Sequence, residues 1–145
     1  MGASLVRREP VTRVLFVCIG NSCRSQMAEG FARAYGSDVM VPESAGLAPA
    51  MSVSRDTIRS MREKNIDVSL HYPKALGEFS RAHFDLVVNM SGCDLPAMPG
   101  PVREWLIEDP IGHPIEKYRA VRDEIEMLVM RLILELRRRT FAIRT

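Results

Sequence analysis

Apolar and polar positions fall into two alternating kinds of segment along this chain. Val14-Leu15-Phe16-Val17 is an unbroken apolar run between Arg13 and the polar cluster Gly20-Asn21-Ser22. A run that short, flanked by turn-forming residues, predicts a strand buried on both faces, as in a parallel sheet. Ser25 to Tyr35 then carries Met27, Phe31 and Ala34 at helical spacing and closes on Gly36, which predicts a helix directly after the loop. A second short strand is expected over Val39–Val41, and a helix over Ser54–Lys64 with Ile58 and Met61 on one face and Ser54 or Asp56 as its cap. Phe84–Met90 predicts a third strand, and Val102–Ile107 a fourth that ends at Glu108-Asp109-Pro110. The last helix is expected from Ile115 to Arg139, on a stripe of Tyr118, Val121, Ile125, Leu128, Leu132 and Leu136.

Strands alternating with helices imply the α/β class: a single doubly wound domain, with a four-stranded parallel sheet flanked by helices and right-handed crossovers. At 145 residues the chain is expected to form one domain over 1–145, with 1–12 flexible. Ligands of such sheets bind at the carboxyl ends of the strands. The segment after Val17 and the segment around Asp109 both leave strands at those ends, so two distant stretches are expected to share one site.

Composition narrows the function. With 46% hydrophobic and 26% charged residues the chain is an ordinary globular protein, and a formal net charge of +2 gives no whole-molecule case for nucleic acid or membrane as a partner. Arg137, Arg138 and Arg139 are read as complementing the negative end of the last helix. His83 and His113 read as ordinary surface residues. Three cysteines, Cys18, Cys23 and Cys93, are too few for a secreted disulfide framework. With no signal-like stretch and no long apolar run, they imply a cytoplasmic protein with reactive thiols. No Cys or His pair stands at metal-site spacing, so no metal is expected.

The chemistry concentrates in Cys18-Ile19-Gly20-Asn21-Ser22-Cys23-Arg24-Ser25. A loop between a buried strand and a helix start turns successive backbone N–H groups inward, at the positive end of the helix dipole, and so cradles an anion. Gly20 and Asn21 suit the left-handed backbone such a nest needs. Arg24 in the first helical turn can clamp a tetrahedral anion with two parallel hydrogen bonds. The same positive field favours a Cys18 thiolate, which makes Cys18 the expected nucleophile. A cysteine alone after an apolar strand is usually an inert buried residue. Cysteine, five residues and arginine, set between strand and helix, are a different matter.

The stretch from Val14 to Ser25 resembles the signature of the low-molecular-weight protein tyrosine phosphatases and of the arsenate reductases that share their fold. The likeness continues through Met27-Ala28-Glu29, Ser44-Ala45-Gly46, Asp109-Pro110 and the final helix. It implies Cys18 as nucleophile, Arg24 as oxyanion clamp, Ser25 as the hydroxyl that steadies the thiolate, and Asp109 as the general acid. Residues 19–24 (Ile19, Gly20, Asn21, Ser22, Cys23, Arg24) would bind phosphate. His71 matches a phosphatase position that hydrogen-bonds to Ser44 in the Ser44-Ala45-Gly46 turn and thereby supports the Asn21 loop. Without the resemblance, Asp109 before Pro110 would read as a turn residue.

Two branches share these residues. Gln26 stands where the phosphatases usually carry proline, Trp105 and Val121-Arg122-Asp123-Glu124-Ile125 look like the reductase branch, and Leu47–Met51 and Ile111-Gly112 supply no aromatic residue to stack on a phosphotyrosine ring. Reductases of the thioredoxin-coupled type, however, need a cysteine relay, because As(V) takes up two electrons and the enzyme ends as a disulfide. Here Ser91 stands at the first relay position and Cys93 at the second, so Cys23 and Cys93 are the redox candidates. A cysteine-dependent phosphomonoester hydrolase, without cofactor, acting on a phosphorylated protein or small oxyanion is placed first. The alternative is an arsenate reductase that draws electrons from a thiol reductant, the thioredoxin or glutathione system. A silent phosphate-reading module is disfavoured, since binding alone needs neither Cys18 nor Asp109.

Overall fold

A computed structural model describes residues 11–98 and 100–144. The expected flexible 1–12 thus lies outside the described residues except for Val11 and Thr12, and Thr12 already opens a strand. The elements are β1 (Thr12–Cys18), α1 (Arg24–Tyr35), β2 (Met40–Gly46), α2 (Arg55–Arg62), a 3-10 helix (Leu76–Phe79), β3 (Leu86–Asn89), β4 (Val102–Glu104) and α3 (Ile115–Arg144). The four strands form one parallel sheet in the order β2-β1-β3-β4, the α/β architecture expected from the pattern. β1 lies between β2 and β3, so the chain leaves β1 toward one neighbour and later returns to its other side. The carboxyl end of β1 is therefore a topological switch point, where a crevice opens.

The two faces of the sheet are covered unequally. Val14, Phe16, Val88 and Met90 join Met27, Phe31, Met61, Ile125, Leu132 and Ile133 in one core cluster built with the helices. Leu15, Val17, Ala45, Phe84 and Val87 form a smaller cluster, against which Leu47, Leu76, Phe79, Leu95 and Met98 pack from the 3-10 helix and loops. Burial on both faces explains why β1 reads as a continuous apolar run rather than an alternating one.

Several boundaries moved, each for a local reason. β2 continues to Gly46 instead of ending at Val41: it is an edge strand, where Pro42 costs no central ladder bond. Ser44-Ala45-Gly46 is accordingly strand and not turn. β3 and β4 are shorter than their apolar runs, and Trp105 to Asp109 is irregular chain, with Trp105 packed on Phe16 at 5.9 Å between ring centroids. Ser54 occupies the N-cap of α2 but makes no capping bond with its side chain, because its hydroxyl pairs with Tyr118 Oη at 3.2 Å. α3 runs past Arg139, so the three arginines do not sit in its last turn. Arg137 instead holds Asp38 and the Tyr35 carbonyl, and Arg139 pairs with Glu135.

Candidate active site

The loop after β1 is buried where chemistry was expected. Cys18 is 2% exposed and Arg24 4%, and both line a pocket of about 220 Å³ with Ile19, Gly20, Ser22, Cys23, Ala50, Asp109 and Ile111. The sheet end thus brings together Cys18 and Asp109, which are far apart in sequence. Larger hollows lie elsewhere on the molecule, but they hold none of these residues, and volume alone does not make a site.

Asn21 takes the left-handed backbone, with φ 50, while Gly20 does not. The left-handed backbone expected at Gly20 is therefore absent. The glycine this loop requires is Gly46 in β2: a Cβ there would stand 2.7 Å from the Ile19 carbonyl oxygen and 2.9 Å from the Asn21 nitrogen. Main chain packs directly on main chain, and Leu47, Ala48 and Ala50 then donate their N–H groups to the carbonyls of Cys18, Ile19 and Gly20. The far side of the loop is held by α2, where Thr57 Oγ1 donates to the Ser22 carbonyl at 2.9 Å.

Ser25 Oγ lies 2.9 Å from Cys18 Sγ, in the place expected of a hydroxyl that steadies the sulfur. The Arg24 guanidinium is fixed by main chain rather than left free: Nη1 donates to the Met90 carbonyl at 2.6 Å and to the Ile107 carbonyl at 3.1 Å. These carbonyls follow β3 and β4, so both strand ends aim the arginine. Its Nη2 lies 3.5 Å from Asp109 Oδ2, while Asp109 Oδ1 accepts the Ile111 N–H at 3.1 Å. Asp109 is half-exposed, and its loop is tied to α3 by the Glu108–Lys117 ion pair.

His71 and Ser44 do not meet as expected. Ser44 Oγ donates to Glu29 Oε1 at 2.5 Å, which takes the hydroxyl away from His71. His71 Nδ1 instead lies 2.9 Å from Gln26 Oε1, and Gln26 Nε2 donates to the backbone and side-chain oxygens of Asn21 and to the Tyr72 carbonyl. The support for the Asn21 loop thus arrives through Gln26 and through the Lys74 N–H, which donates to Asn21 Oδ1 at 2.9 Å. Burial holds the His71 imidazole below its ordinary value, with the Glu29 charge opposing.

The other thiols differ sharply. Cys23 is buried, and burial pushes its thiol up to about 12, with the neighbouring Thr57 hydroxyl pulling partly the other way. Cys93 is exposed, in a turn where Ser91 Oγ donates to Asn89 Oδ1 at 2.6 Å and Asn89 Nδ2 donates to the Cys93 carbonyl at 2.8 Å. His83 lies 3.2 Å from Asp85 at the surface, and His113 is exposed. No group of three metal-ligating side chains exists among the described residues. Among those residues, too, no helix is long and apolar enough to cross a membrane.

Gly46, Thr57, Gln26 and Lys74 were not identifiable as loop supports from the sequence. The one visible signal was polar Gln26 and Glu29 beside Met27 and Ala28 in a helix that had to bury one face.

Known proteins are similar to this chain in sequence and fold. The glutaredoxin arsenate reductase of Synechocystis is 36% identical over 83% of this chain and 95% of its own. A solved arsenate reductase in its phosphate-binding state superposes with a TM-score of 0.79 at 34% identity, covering 87% of this chain and 99% of the other. The low-molecular-weight protein tyrosine phosphatase of T. tengcongensis superposes with a TM-score of 0.74 at 31% identity, over 86% and 99% of the two chains. Residues 13–141 match the family described as low molecular weight phosphotyrosine protein phosphatase, and the chain is an enzyme of that family.

Proposed function

We propose that the chain is a cysteine-dependent phosphomonoester hydrolase. The Cys18 thiolate attacks phosphorus held by the loop N–H groups and Arg24, an S–P bond forms as the ester O–P bond breaks, and Asp109 gives its proton to the departing alkoxide. Asp109, now ionised, then takes a proton from water that attacks phosphorus and releases Cys18. The observation that carries hydrolysis over thiol chemistry is the thiol inventory. Burial keeps Cys23 protonated, with its value near 12, Ser91 supplies a buried hydroxyl at the first relay position, and Cys93 alone among the cysteines is exposed.

Arsenate reduction is the second reading, favoured by the relatives named arsenate reductase and by a pocket mouth of Ile19, Ala50 and Ile111 without an aromatic residue. There the Cys18 sulfur bonds arsenic with loss of water. A second thiolate then attacks that sulfur, and the S–As electron pair stays on arsenic, which leaves as arsenite. Cys93 or an external thiol of the glutathione or thioredoxin type would supply the second sulfur.

One experiment separates them: wild type and Cys93→Ser assayed on an aryl phosphate, and on arsenate with thioredoxin and glutathione systems supplied. Aryl-phosphate turnover that is indifferent to Cys93, with no arsenate reduction, is expected. Efficient arsenate reduction would overturn the first reading, and its loss in Cys93→Ser would assign Cys93 as the resolving thiol.

A further inference from the structure

We propose that Gln26 is a positioning residue that, together with the Lys74 main-chain N–H, fixes the direction of the hydrogen bonds between His71 and Cys18, so that the Ser25 proton is committed to the Cys18 sulfur. The inference rests on Cys18 as nucleophile and is independent of which oxyanion it attacks.

The contact between Ser25 and Cys18 could run either way, since hydroxyl and thiol each carry a proton. Its direction follows from groups farther out. Gln26 is fully buried. One end of its amide faces three carbonyl-type oxygens, of Asn21 (backbone and side chain) and Tyr72, at 3.2, 3.1 and 3.2 Å. Only the NH₂ group can serve there, so Oε1 must face His71 Nδ1 at 2.9 Å, and the imidazole carries its proton on Nδ1.

Asn21 is oriented in turn. Its Oδ1 receives Gln26 Nε2–H and the Lys74 main-chain N–H, and a main-chain donor cannot reverse its role. Flipping the Asn21 amide would set NH₂ against two N–H groups inside the protein, where unpaired donors are costly. Asn21 Nδ2 therefore donates to Ser25 Oγ, at 2.7 Å. With its oxygen engaged as acceptor, Ser25 has one proton to place, and among the described residues its remaining polar neighbour is Cys18 Sγ. A sulfur that accepts is a sulfur stabilised as thiolate. Ser25, Asn21 and Gln26 thus form a one-way chain, and its orientation enters from outside the loop at two points, the Lys74 main-chain N–H and the Gln26 amide, both on Asn21 Oδ1.

The test reads the thiolate directly. Iodoacetamide alkylation of Cys18 is followed by mass spectrometry of the Cys18 peptide, at a series of pH values and without substrate, in wild type, Gln26→Met, His71→Leu and His71→Asn. Gln26→Met removes the amide at nearly constant volume, and the pH for half-maximal alkylation is expected to rise by about one unit, a roughly tenfold smaller thiolate fraction below the midpoint. His71→Leu is expected to shift it in the same direction by less. His71→Asn, whose amide can still donate to Gln26 Oε1, is expected to restore the wild-type midpoint, which a merely space-filling role would not produce. His71 is half-exposed, so its variants remain readable if Gln26→Met does not fold. Unchanged midpoints in folded Gln26→Met and His71→Leu, or equal shifts in His71→Leu and His71→Asn, would overturn the proposal. Because no substrate is present, failure here would leave the phosphatase assay unaffected.

Discussion

Two loops leave neighbouring parallel strands at the same end of the sheet, one after β1 and one after β3, and each carries a cysteine. The first is tied by partners distant in the chain: Lys74 and Thr57 reach it from 53 and 35 residues away. Past Met90, whose carbonyl holds Arg24, the second is tied mostly to itself, through Asn89, Ser91 and Cys93, with Glu104 a longer-range partner of Asn89. Long-range ties freeze a geometry before any substrate arrives, which is what a nucleophile among preset N–H groups needs. Local ties shape a turn but leave its side chain to solvent. The difference between Cys18 and Cys93 is thus one of architecture, although both are cysteines at a strand end.

The sharpest way to break this contrast is to exchange the sulfur. Cys18→Ser is expected to lower aryl-phosphate turnover on the order of 10⁴-fold or more, while inorganic phosphate still binds, because Arg24 and the loop N–H groups are unaltered. Substantial residual turnover would move the nucleophile elsewhere. Asp109→Asn is expected to cost roughly 10²–10⁴-fold with a poorly acidic leaving group and far less with a nitrophenolate, which departs without a proton. Equal losses on both substrates would make Asp109 a structural residue, held by Arg24 and the Ile111 N–H.

A third change acts on the architecture alone. Gly46→Ala would force a methyl group within 3 Å of two main-chain atoms of the loop, Ile19 O and Asn21 N, and neither can swing aside as a side-chain tip does. A loss of about 1–3 kcal/mol in urea unfolding is expected, with a fall in turnover despite an untouched Cys18 and Arg24. Full activity would mean that the loop can lift off β2.

Gly46 also marks where the sequence ceased to be readable. β1, α1 and the Cys18–Ser25 loop were legible because an apolar run, a helical period and a spaced Cys and Arg are all local signals. The pairing of Cys18 with Asp109 followed from a rule about strand ends, which needs topology but no side-chain detail. What failed were the features set by which side chain claims which partner across the fold. The His71 partner depended on Glu29 claiming Ser44, the Ser54 hydroxyl went to Tyr118 instead of its own helix, and β2 outran its apolar residues because an edge strand accepts Pro42 and Glu43. α3 buries Val129 and Ile133 beside the expected stripe, since a 3.6-residue period drifts around a helix of that length and widens the buried face.

The thiols offer a milder probe of the same contrast. With native protein and a neutral maleimide, Cys93 is expected to react promptly, whereas Cys23 should stay unmodified until denaturant is added, being buried and held as a thiol. Labelling of Cys23 at the rate of Cys93 would show that the loop opens readily, and the long-range ties would lose their significance.

The smallest effect belongs to His71, at the outer end of those ties. Burial lowers its value in the folded protein below the ordinary 6.5, so between the two values the unfolded chain binds a proton that the folded protein declines. Stability then rises with pH across that window: the contribution is complete above about 6.5 and is lost as pH falls through the folded value. The carboxyls of Asp38, Asp67, Asp85, Glu63 and Glu135 are all held below their ordinary 3.8 or 4.5 by hydrogen bonds, so their titration falls below the pH range in which the imidazole is probed. Urea midpoints measured between about pH 5 and 8 are expected to fall modestly on the acid side in the wild type. In His71→Asn, which keeps a donor for Gln26 and carries no titrating ring, that part of the slope should vanish. An identical slope in the two proteins would mean that the imidazole meets no burial penalty, and that the outer end of the chain of bonds is open to water.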